Sequence, residues 1–138
     1  MSDGPRLSGF LAPGLEARVE KEVPFEWTIA SYDPRLPPVF STPAMIGMME
    51  VAAAKAVQPA LPPGAITVGT RIEVDHLKAV TAGTQVVATA KLAEINGRFL
   101  VFEVEARSEK DLIGRGRVFR AIVDVSRFSS EAAGRGKT

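Results

Sequence analysis

Cysteine is absent from this 138-residue sequence, and histidine occurs once, as His76. The first absence removes disulfides, thiolate nucleophiles and cysteine-based zinc or iron–sulfur sites, and the second removes a histidine-rich metal cluster. Metal-free chemistry is the expectation. Missing too is any apolar run near the roughly 20 residues that a membrane span requires. The N-terminal "MSDGPRLSGF" lacks the positively charged head and apolar stretch of a signal peptide. A cytoplasmic protein with no membrane partner is therefore expected. Neither sign of charge dominates: 17 Lys and Arg against 16 Asp and Glu leave a net +1, which argues against a nucleic-acid partner held by a bulk positive field. A G-x-S-x-G elbow is absent, and "GRGR" at 114–117 lies inside a strand pattern, without the strand-turn-helix setting of a dinucleotide fingerprint.

What is present is the composition of a soluble globular domain, 46% hydrophobic and 24% charged. A chain of this size buries roughly two-thirds of the surface it exposes when unfolded, so it holds a core without staples. Residues 1–128 read as one domain and 129–138, "SSEAAGRGKT", as a disordered tail. Partial alternation over residues 16–30 predicts a first strand, with Pro24 at an edge or bulge. "SYDPRLPPVF" is too rich in proline for a helix or central strand and reads as a loop or lid.

At "STPAMIGMMEVAAAKAV" a helix begins, with Thr42 read as its N-cap and Pro43 at the first helical position. Met45, Met48, Met49, Ala52, Ala53 and Ala56 form a core-facing stripe, and Ile46, Ala53 and Val57 extend it. A helix apolar nearly all round is buried. "QPALPPG" ends it. The rest is β: a strand from Ile66 that puts Val68, Thr70, Ile72, Val74 and His76 on one face, and a second strand "QVVATAKLAEI". A hairpin at Asn96-Gly97 leads to "FLVFEVEARS", and "LIGRGRVFRAIVDVS" is the last strand. The class is α+β, an antiparallel sheet wrapped around one long central helix.

Few polar groups fall on faces that look buried: Thr42, Glu50, Thr70 and His76. Each has a plain structural reading. Thr42 is explained as a cap, His76 as a hydrogen-bonded core histidine, and Glu50 as a carboxylate on a partly exposed helix flank. Glu50 is the hardest to dismiss, because glutamate is almost never fully buried unless paired. Together, a hydroxyl, a carboxylate and an imidazole match the needs of thioester hydrolysis, which must activate a nucleophile, move a proton and stabilise an oxyanion. Glu50 lies two helical turns beyond Thr42, about 12 Å of axial rise, so the two do not touch directly.

At "VFSTPAMIGMMEVAAAKAVQPALPPG" and the following "VGTRIEVDHLKAVTAGTQVVATAKL", the sequence resembles the fluoroacetyl-CoA thioesterase-like family of hot-dog fold thioesterases. The strongest pieces are V-F-x-T, G-x-M-E and the histidine that closes the next strand. The resemblance implies an acyl-CoA thioesterase with a catalytic set of Thr42, Glu50 and His76, and with Gly69 placed for close backbone approach to the acyl group. Leu36, Phe40 and Arg120 join Gly69 as expected substrate-binding residues. Arg115 and Arg117 share a strand face and read either as contacts for coenzyme A phosphates or as a solvated strand. No separate cofactor is implied, since coenzyme A arrives as part of the substrate. A homodimer or higher homo-oligomer is expected, because a wrapped helix leaves one sheet edge exposed. Asp33 and Leu36 stand where a fluoroacetyl-specific lid carries phenylalanines, so a different small acyl-CoA is the expected substrate. The alternative is a non-catalytic acyl-CoA binding or sensing module on the same fold. A hydratase fits less well, since Asp75 and His76 would point to opposite strand faces.

Overall fold

A computed structural model describes residues 10–136 of the chain. Five antiparallel strands, β1 (Glu16–Glu22), β2 (Ala65–His76), β3 (Gln85–Asn96), β4 (Phe99–Arg107) and β5 (Leu112–Asp124), form one sheet in the order β1-β3-β4-β5-β2. The sheet curls around α1 (Thr42–Val57), whose Met45, Met49, Ala52, Ala53 and Val57 are fully buried. Beneath the helix lie Val86, Ala88, Ala90 and Leu92 of β3, Phe102, Val104 and Ala106 of β4, and Val118 of β5. The alanines let the helix approach the sheet closely, while Met and Leu fill the flanks to the density of a protein interior. The expected hot-dog architecture is the observed one. The alternation predicted for "FLVFEVEARS" holds, with Leu100, Phe102, Val104 and Ala106 inside, and Gly97 takes the positive φ of 65° that its hairpin requires.

Four details differ from the sequence-based expectation. The first strand ends at Glu22, not at residue 30: Val23 makes a last backbone bond to Thr84, Pro24 has no N–H to continue the ladder, and two 3₁₀ turns, Phe25–Trp27 and Ile29–Ser31, follow. The cap of α1 is Ser41, whose Oγ accepts from the Ala44 N–H at 3.2 Å, so Thr42 becomes the first helical residue and its hydroxyl is free for other partners. The segment 129–136, expected to be disordered, belongs to an exposed C-terminal helix α2 (Val125–Gly136); Asp124 starts it by accepting from the Arg127 N–H. Residues 137 and 138 of the expected tail lie outside the described residues.

The fourth difference sets up the site. Strand β2 carries a register shift between Gly69 and Arg71 against β5, where Gly69 pairs with Arg120 and Arg71 with Phe119. One extra residue, Thr70, is absorbed there. The predicted face of Val68, Thr70, Ile72, Val74 and His76 is therefore split. Thr67 and Gly69 share the helix side with Ile72, Val74 and His76, and Val68 and Thr70 turn to the outer surface beside Phe99 and Phe128.

Candidate active site

Two polar clusters sit on the helix side of the sheet. The first joins the start of α1 to the end of β2: Thr42 Oγ1 lies 2.7 Å from His76 Nδ1. Capping by Ser41 makes this contact available, and the β2 bulge turns His76 toward the helix. The Phe40 ring, itself buried, stands edge-on to the imidazole, with centroids 6.4 Å apart and planes at 79°. Burial lowers the His76 pKa, and the backbone at Lys78 offsets only part of that effect, so the ring is neutral at pH 7. A neutral ring with Nδ1 facing the hydroxyl can accept the Thr42 proton. Its Nε2 is enclosed, with no hydrogen-bond partner among the described residues.

The second cluster is centred on Glu50. Its Oε1 accepts from Arg120 Nη1 at 2.8 Å, with the two side chains 25% and 10% exposed. Arg120 is held in turn by Thr67, donating from Nε to the hydroxyl at 2.9 Å and from Nη2 to the backbone carbonyl at 2.8 Å. Beside them Gly69 leaves room for the carboxylate, since a Cβ at that position would crowd Glu50 Oε2 and the carboxylate would have to shift. The charge in an otherwise apolar stretch of helix is met by a cation arriving from β5, 70 residues further along the chain.

The other expected contacts fall as follows. Leu36 is 41% exposed in the loop before α1, where Arg35 forms a two-pronged pair with Asp33. Phe40 packs on His76 and not on open space. Arg115 and Arg117 face outward from the sheet, and Arg117 pairs with Glu73 at 2.7 Å. Ser41 and Thr67 were not singled out from sequence: a cap can be read one residue either way, and the Thr67–Arg120 contact joins residues 53 apart. Among the described residues no group of three or more His, Cys, Asp or Glu could hold a metal ion.

A family model described as fluoroacetyl-CoA-specific thioesterase matches residues 23–126. The chain belongs to the fluoroacetyl-CoA-specific thioesterase family. Among its relatives, the fluoroacetyl-CoA thioesterase of Streptantibioticus cattleyicolor is 33% identical over 131 residues, covering 95% of this chain and 94% of that one. The solved structure of a threonine-to-serine variant of fluoroacetyl-CoA thioesterase in complex with acetyl-CoA superposes with a TM-score of 0.86 at 31% identity, covering 91% of this chain and 98% of that one. A thioesterase superfamily member from Thermus thermophilus gives 0.84 at 29% identity, with 91% and 93% covered. The expected hot-dog fold and thioester-hydrolase class are borne out together.

Proposed function

We propose that the protein is a homodimeric thioesterase that hydrolyses a small acyl-CoA with Thr42, His76 and Glu50. The observation that carries this is the 2.7 Å contact between Thr42 Oγ1 and a neutral His76 at the start of a buried helix. As Thr42 Oγ1 adds to the thioester carbonyl, His76 Nδ1 takes its proton, and the positive end of the helix favours the developing negative charge. The coenzyme A thiolate leaves and takes that proton. Glu50 then takes a proton from the water that attacks the acyl carbonyl, the bond to Thr42 Oγ1 breaks, and the departing oxygen takes that proton back, which frees the acid and restores both residues. No cofactor enters, because these proton transfers suffice for hydrolysis. The short, polar lid carrying Asp33 and Arg35 supports a small acyl group without selectivity for fluorine. Coenzyme A esters are metabolites of the cytoplasm, and the protein acts there.

One subunit does not bring the three residues to one carbonyl. Thr42 and Glu50 are separated by about 12 Å of helix, and Gly69 and His76 by about 20 Å of strand. Among the described residues strand β2 is an unpaired edge, and its inward Ile72 remains 38% exposed. Antiparallel pairing of two β2 edges about an axis near Ile72 would cover that side chain and set His76 of one copy opposite Gly69 of the other. Each site then takes Thr42 and His76 from one subunit and Glu50 from its partner. Mixing Thr42→Ala and Glu50→Gln proteins under subunit exchange tests this, with turnover of acetyl-, isobutyryl- and benzoyl-CoA followed through the released thiol. Mixed dimers should recover about a quarter of wild-type sites. No recovery despite proven exchange would place the whole site in one subunit. Binding without thiol release by the wild type would make the protein a sensor.

A further inference from the structure

Resting on the thioesterase reading above, we infer that Thr67 is a positioning residue, which acts through Arg120 to hold one oxygen of Glu50 and leave the other to work. Thr67 is 7% exposed and Arg120 8%, so neither is placed to contact solvent freely. Arg120 spends two of its three hydrogen-bonding nitrogens on Thr67: Nε on the hydroxyl and Nη2 on the backbone carbonyl. Only Nη1 reaches Glu50, at Oε1. A guanidinium is planar, so fixing Nε and Nη2 against one residue fixes the direction of Nη1 as well. The carboxylate is thereby turned so that Oε2 lies against Gly69, the strand position with no side chain to block it.

The sheet supplies the geometry for this clamp. Gly69 and Arg120 are paired across β2 and β5, and Thr67 is the next residue along β2 on the same face. Arg120 therefore runs diagonally over its own pairing partner to reach Thr67, and passes the carboxylate on the way. A lysine at 120 would present a point charge without a second, angularly fixed donor, and Glu50 would lose its orientation while keeping its charge partner. The arrangement assigns the two carboxylate oxygens different duties. Oε1 anchors the side chain, and Oε2 faces the place where water must be activated. Arg120, expected from sequence to bind substrate, is in this reading part of the support for Glu50.

Thr67→Val keeps the shape and burial of residue 67 and removes the hydroxyl, so it frees one of the two anchored nitrogens. With the most active acyl-CoA of the panel above, kcat should fall about tenfold or more, because small displacements of a reacting group are costly. KM should stay within about twofold, since residue 67 is buried and its hydroxyl is taken up by Arg120. Thr67→Ser should restore kcat, because it returns the hydroxyl. In a Glu50→Gln background Thr67→Val should have no further effect. An unchanged kcat in folded Thr67→Val, a raised KM with kcat intact, or an equal loss in the Glu50→Gln background would each overturn the inference. If the valine variant fails to fold, Thr67→Ala is read by the same criteria. A Glu50→Gln protein with wild-type turnover would overturn the catalytic reading itself, whereas an inactive Glu50→Gln beside a fully active Thr67→Val overturns only the clamp.

Discussion

The two polar clusters solve opposite problems. At the mouth of α1, Thr42 and His76 meet through one hydrogen bond between neutral groups, and Thr42 remains exposed. Deeper along the same helix, Glu50 is ion-paired, and its cation is tied to a neighbouring strand by two further bonds. A neutral pair is suited to passing a proton, because little surrounding structure must reorganise. A fixed charge is suited to a defined direction, because breaking a partly buried pair leaves an uncompensated ion. The difference teaches that a proton-passing pair and a fixed charge are divided between the mouth and the middle of one helix.

The largest effect that sharpens this contrast is expected from Glu50→Gln, which should lower kcat/KM by about 10² or more. The sequence alone suggests that an amide in place of a buried carboxylate would hold or raise stability. Arg120 reverses that sign, because its charge would lose its partner, and the melting temperature should fall by a few degrees, on the order of 1 kcal/mol for a pair that is partly exposed. Unchanged melting with unchanged turnover would make the second cluster ornamental. An intermediate effect is expected from pH. Burial lowers the His76 pKa, so the acid limb of kcat/KM should have its midpoint below about 6.5, the ordinary imidazole value. The same shift acts on folding: as pH falls through about 6.5 the unfolded chain takes up a proton that the folded ring resists, and stability declines until the folded pKa is passed. A midpoint at 7 or above would show a charged partner next to the ring. The smallest effect is expected from Ser41→Ala, which removes the cap that leaves Thr42 free and should cost about 1 kcal/mol, read as a lowered melting temperature. Unchanged melting would mean that the helix end is held by its neighbours instead.

How much of this was legible depends on how local each signal is. The core-facing stripe of α1, the hairpin at Asn96-Gly97 and the alternation of β4 follow from short-range periodicity, and the architecture followed from them; burial of the helix all round did not, since Gly47, Val51 and Lys55 face outward, Val51 at 48% exposed. Thr42, Glu50 and His76 stood out because polar groups on apolar faces are conspicuous. The Ser41 cap was missed by one residue because Ser and Thr serve equally well there. The partner of Glu50 was missed because it comes from β5, and Arg120 on a strand otherwise resembles its neighbours Arg115 and Arg117. The fate of residues 23–31 shows the limit of periodicity: alternation continued past Pro24, but the ladder could not.

The bulge at Thr70 makes the length of β2 matter more than its composition. Side chains alternate along a strand, so Gly69 and His76, seven positions apart, would face opposite ways in a regular one; the extra residue cancels the odd count. Straightening the bulge without removing a residue would turn the imidazole to the outside of the sheet or swing Gly69 away from Glu50, with every proposed catalytic side chain still present. Descendants of this chain can therefore explore substitutions at Arg71 to Asp75 one at a time, but the bulge and the odd count are kept or lost together. Parity, a property that no individual residue carries, is part of the proposed active site.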